Sequence, residues 1–166
     1  MAVATAYRHS ILRDLGLLLA RVAIGAIFIA HGSQKIWEWT LGGTAQSFAD
    51  MGVPFSSIAG PAVAILEFAG GIVLILGTFT PWVGIALAIN MAVAAFIAHV
   101  PNGVFADNGG WELVGALGAA ALALAAAGAG RISLDYLAWG RRRDKRARAE
   151  ASSDGRRRAE DGSVAA

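Results

Sequence analysis

The sequence predicts an all-α fold, an integral membrane bundle of four transmembrane helices with both termini cytoplasmic. Four apolar segments, each about 20 residues long, punctuate a chain of 166 residues, and about 20 residues is the length needed to cross a hydrocarbon core. The composition is 56% hydrophobic and 16% charged, with mean hydropathy +0.55. A soluble domain usually carries about 25% charged residues. The third observation is where the cations fall, which is at the two ends of the chain.

The segments run from Leu15 to Ile36, Ile58 to Leu76, Trp82 to Val100 and Trp111 to about Ala129. Breakers separate them: Gly42-Gly43, Pro54, Thr78 to Pro81, Pro101-Asn102-Gly103, and Gly128 to Gly130. Apolar residues cover nearly every side, as suits helices with lipid on one face and protein on the other. Barrel strands would instead show short alternating stretches. Arg21 interrupts the first segment, which is therefore expected to remain as a helix rather than be removed as a signal peptide.

Residues 1–130 hold four Arg/Lys and six Asp/Glu, whereas 131–166 hold ten and six. Arg8 and Arg13 precede the first span, and Arg141 to Arg143, Lys145, Arg146 and Arg148 follow the last. Cations flank the cytoplasmic side of spans, so both ends belong there and the span number is even. Residues 1–14 then form a cytoplasmic segment, 15–140 the membrane domain, and 141–166 a basic tail too polar to build a core. No aromatic residues interleave with the tail arginines, so lipid headgroups suit it better than nucleic acid. Trp37, Trp39 and Trp111 fall at one predicted boundary, and Trp82, Tyr136 and Trp139 at the other. Small residues at every fourth position (Gly84, Ala88 and Ala92; Gly115, Ala119, Ala123 and Ala127) predict close helix contacts. An oligomer of the chain is left open.

Threading the spans in alternating directions sorts the polar groups by depth. Arg21, Glu67 and Asn90 form an inner group; His31, Lys35, His99 and Glu112 form an outer one. A carboxylate near mid-bilayer costs several kcal/mol unless paired or protonated, so Glu67 is the first candidate for chemistry. It is either the partner of Arg21 in a buried ion pair, with Asn90 fixing register, or a group that exchanges protons. The outer group could donate hydrogen bonds to quinone carbonyls and exchange their protons, since histidine titrates near neutrality. It could equally be interfacial, with Lys35 snorkelling to headgroups. Two histidines and one glutamate are a thin donor set for a metal, and none is expected.

The stretch Arg21-Val-Ala-Ile-Gly-Ala-Ile-Phe-Ile-Ala-His-Gly-Ser-Gln-Lys35 resembles the opening helix of DoxX-family membrane proteins. So do Met51-Gly-Val-Pro54, Glu67 to Gly77, the His99 to Gly103 turn, Gly110-Trp-Glu112 and Gly128 to Asp135. Ala129 departs from the family's Gly-Pro-Gly-Arg, and Pro81 stands where a basic residue often follows the second helix. The resemblance implies a compact four-helix, multi-pass protein of the cytoplasmic membrane. It implies either a quinone-linked redox subunit with protein partners or a scaffold for soluble redox enzymes; a small transporter is a third reading. There are no cysteines, which excludes a thiol relay like that of vitamin K epoxide reductase. No haem, flavin or iron–sulfur motif is present either, so no covalent cofactor is expected. A bound quinone, with Glu67 relaying protons and His31, Lys35, His99 and Glu112 around the ring, is the site this reading predicts.

Overall fold

The computed structural model describes residues 2–140 together with Ser153, so the tail expected over 141–166 otherwise lies outside the described residues. Those residues are helical or turn, without strands. Helix α1 (Ala2–Ser33) continues through a π-turn at Gln34–Glu38 into a short helix α2 (Thr40–Asp50). Helices α3 (Ser56–Leu76) and α4 (Thr80–Ala94) form a hairpin, and α4 runs on through a π-turn at Ala95–His99. A loop with two 3₁₀ turns leads to α5 (Glu112–Ala127), and the chain then folds back to Gly140.

Three stretches are long and apolar enough to cross a membrane: Ile11–Glu38, Ser56–Leu76 and Thr80–Asn102. The fourth expected span, α5, is apolar but has 16 helical residues, about 24 Å at the usual rise. It ends early because Gly128 and Gly130 take positive φ, beginning the return loop. Helix α2, at 11 residues, is far too short to cross and was expected only as a connection. Its Leu41, Thr44, Ala45 and Phe48 fall on one helical stripe, with Gln46, Ser47 and Asp50 opposite. It lies over α3, where a Cβ on Gly60 would stand 3.0 Å from the Ala45 backbone.

The bundle is two tight pairs. Helix α1 closes on α3 because Gly25 and Gly71 face each other; a Cβ on Gly25 would lie 2.7 Å from the Gly71 carbonyl oxygen. Helix α4 closes on α5 through Gly84, whose Cβ would meet the Ala121 carbonyl oxygen at 2.7 Å and Ala125 at 2.9 Å. Close backbone approach supplies van der Waals contact where lipid offers no hydrophobic drive. The expected ridge on α4 is thus used at Gly84. On α5 it is not: Ala119, Ala123 and Ala127 are exposed, and Gly118, Ala121 and Ala125 make the contact instead. A four-residue spacing alone does not tell which of several alanine rows faces inward. Phe28, Leu74, Leu87, Met91, Val114 and Leu117 fill the space between the pairs.

Two ends can be named by their residues. At the Gly77 end, the segment after α5 staples the bundle. The Asp135 carboxylate accepts from Phe79 N at 3.1 Å and Thr80 N at 3.4 Å, capping α4, while Asp135 N donates to Gly77 O at 3.1 Å. Asp14 accepts from Arg131 N at 3.0 Å. Pro81 sits in the first turn of α4, where its missing N–H costs nothing. Trp82 and Trp139 are exposed at this end, and Trp37, Trp39 and Trp111 at the other, as the two aromatic boundaries require.

Gly77 ends α3 at φ +66°, and a Cβ there would lie 2.8 Å from Arg21 Cζ and 2.7 Å from Ser133 Cβ. Gly77→Ala is expected to destabilise by about 1–3 kcal/mol, from the left-handed backbone and the displaced guanidinium. Gly16→Ala, with open space around it, should be neutral or slightly stabilising. Thermal unfolding of both variants in mild detergent checks the contrast.

Candidate functional site

The carboxylate of Glu67, 3% exposed, joins three helices. Lys35 Nζ from the end of α1 donates to Glu67 Oε2 at 2.6 Å, and Asn90 Nδ2 from α4 donates to Oε1 at 3.1 Å. Both oxygens of an otherwise costly buried anion are thereby occupied. One of the two readings paired Glu67 with Arg21, and that pairing is not made. Arg21 is fully buried at the Gly77 end, where Nη2 donates to the Ile132 carbonyl; Nε and Nη1 have no partner among the described residues. The reason is directional. Side chains lean toward the N-terminus of their own helix. Arg21 and Lys35 on α1 therefore both lean toward the Gly77 end, which carries Lys35 toward Glu67 and Arg21 away from it. Glu67, on the antiparallel α3, leans the other way, toward Lys35.

The inner and outer groups expected from depth are consequently rearranged. Glu67, Asn90, Lys35, His31 and His99 all line one chamber of about 480 Å3, within the roughly 300–1,000 Å3 of ordinary ligand pockets. Gln34 also lines it; the remaining walls are mainly apolar, including Phe28, Val63, Met91, Val93, Ile97, Val114 and Leu117, with Phe48, Met51 and Val53 from α2 and its following turn. Glu112 does not line it. That side chain accepts from Ala106 N at 2.7 Å and closes the loop before α5.

Backbone detail sets these groups in place. Lys35 and His99 both lie in π-turns, the wider helical turns that recur at functional sites. The buried Thr44 hydroxyl of α2 donates to Lys35 O at 2.8 Å, anchoring that turn. His99 Nδ1 lies 2.8 Å from Gly109 O; a carbonyl only accepts, so Nδ1 carries the proton and the neutral ring keeps Nε2 as an acceptor. The Lys35 ammonium has three donors, and Glu67 takes one. The chamber thus offers a cationic donor, an imidazole acceptor and a second imidazole, His31, against apolar walls.

Sequence reasoning missed Thr44 and the α2 wall. The stripe over Leu41–Phe48 was the available signal, masked by Gly42-Gly43.

The fold and site define a multi-pass helical protein of the inner membrane with a polar chamber inside its bundle. The chain belongs to the DoxX family, whose pattern matches residues 16–100. It is 34% identical over 126 residues to an uncharacterized protein of Haemophilus influenzae, covering 74% of this chain and 90% of that protein. It is 33% identical over 129 residues to Inner membrane protein YphA of Escherichia coli, with the same 74% and 90% coverage. A third relative, named "Putative oxidoreductase CatD", comes from Bacillus subtilis; it is 33% identical over 95 residues, 57% of this chain and 67% of that protein. No solved structure gives a significant match.

Double-mutant cycles separate the observed pairing from the alternative. Lys35→Met and Glu67→Gln should each lower stability and show a coupling energy of about 1–3 kcal/mol. Arg21→Met and Glu67→Gln should add without coupling. Unfolding in detergent, followed by circular dichroism, reads both cycles.

Proposed function

We propose that this DoxX protein is a quinone-binding subunit of a membrane redox complex, spanning the bilayer four times with both ends cytoplasmic. The observation that carries the reading is the Lys35 ammonium, held by Glu67 and facing an apolar chamber beside two histidines. The donor set fits the group: quinone oxygens accept hydrogen bonds, and the rest of the ring needs apolar walls. CatD's name supports a redox setting. A bound quinone supplies a two-electron, two-proton couple; the electrons come from a partner subunit.

The chain's own residues bind and move protons. Lys35 Nζ donates to a ring oxygen while its charge stays balanced by Glu67. His99 Nε2 accepts a proton while Nδ1 stays hydrogen-bonded to the Gly109 carbonyl. His31 serves the same wall. Glu67, bridged to Lys35 and Asn90, holds the proton-exchanging position in the chamber wall. Helix α5 completes the fourth crossing beside α4, and the Gly77 end, with Arg13 and Arg131, faces the cytoplasm.

Purification in mild detergent, followed by extraction, tests the reading. Wild type should retain near-stoichiometric quinone, and folded Lys35→Ala and Glu67→Gln variants should lose it by about tenfold or more. Wild-type quinone no higher than in the surrounding lipid would overturn the proposal.

A further inference from the structure

We infer that the chamber is loaded sideways from the hydrocarbon, through the seam between α3 and α4, and therefore takes a ring that carries a long apolar tail. This rests on the quinone reading above and adds to it the path and the class of molecule.

The α3–α4 hairpin is closed at its Gly77 end. Leu87 seats against Gly70, where a Cβ would be 3.3 Å away, and the Asn90–Glu67 hydrogen bond of 3.1 Å bridges the next step outward. Beyond that bridge the facing residues, Val63 on α3 and Val93 and Ile97 on α4, line the chamber. Val93 is 50% exposed and Ile97 40%, so neither chamber-lining side chain is sealed over by packing from a neighbouring helix. The opposite seam, between α1 and α5, is plugged: Phe28 is 1% exposed and packs in the core with Val114 and Leu117.

Depth decides what lies outside the open seam. Glu67 is eleven residues into α3 from Ser56, about 16 Å along the axis, and Val63 is one turn nearer the start. A hydrocarbon core of about 30 Å puts that stretch among acyl chains, not in water. Across the His99 end, α2 and its turn place Phe48, Met51 and Val53 in the chamber wall. A tail lying in the seam passes from lipid to lipid-like surface with little change in solvation. The ring alone then needs the polar groups.

The test uses the full chain in lipid nanodiscs, with a long-tailed quinone and a tail-less quinone bearing the same ring substituents. Bound quinone per captured chain is read after subtracting protein-free nanodiscs. Val93→Trp narrows the seam; Ile85→Trp places the same bulk at another exposed position of α4, outside the chamber. Val93→Trp should weaken the long-tailed quinone at least about tenfold more than the tail-less one, with Ile85→Trp altering neither. Unchanged long-tailed binding in Val93→Trp would overturn the lateral path while leaving the quinone site standing. Equal loss of both quinones would also overturn it, because Val93 would then belong to the ring site. Wild type binding neither quinone would overturn the quinone reading itself, and the path with it.

Discussion

Glu67 near the middle of an apolar helix would cost several kcal/mol if left alone in lipid. The bundle meets that cost with groups from two other helices, Lys35 above and Asn90 beside it. Because each contact fixes a different neighbour, the carboxylate sets the register of α1, α3 and α4 at once. The π-turn at Lys35 and the Thr44 anchor are both arranged around that point. An apolar residue at 67 would remove the cost, and would also remove the reason for a lysine to sit inside the bundle. The buried pair thus serves position as much as stability.

Polar residues at the two ends of the bundle are employed differently. At the Gly77 end they go to the backbone: Arg21 to Ile132, Asp135 to the start of α4, Asp14 to Arg131. At the other end Thr44 and Glu112 serve the backbone too, but His31, Lys35 and His99 face a space. His99 serves both, holding the Gly109 carbonyl with Nδ1 and turning Nε2 to the chamber, and Lys35 keeps two of its three N–H donors beyond the one given to Glu67.

Much of this was legible in the residues. Segment lengths gave four spans, of which three are long enough to cross and the fourth is the shorter apolar α5; the tryptophans marked both boundaries, and an acid in an apolar run pointed to Glu67. His31, Lys35, His99 and Asn90 were named, and they meet in one chamber. The pairing was not legible, because depth was assigned by position along the axis, whereas a long side chain delivers its charge a turn away toward its helix N-terminus. That displacement is opposite for α1 and α3, so it exchanged Arg21 for Lys35. Glu112 was misplaced because loop geometry between Gly103 and Trp111 is invisible to a span count. The lipid-facing alanine row of α5 failed for another reason: in so alanine-rich a helix, every face carries small residues.

The Arg21 contact has a consequence for the order in which the protein is made. The arginine lies in the first helix, while the carbonyl that receives it belongs to Ile132 and the nearby carboxylate to Asp135. Over a hundred residues separate donor and acceptor in the chain. As synthesis proceeds, the first helix enters the bilayer with its cation still lacking that acceptor, and an unmatched cation favours a position nearer the headgroups. Only when the segment after α5 emerges can α1 settle to its final depth. A segment synthesised only after α5 is thus the one that seats the first helix.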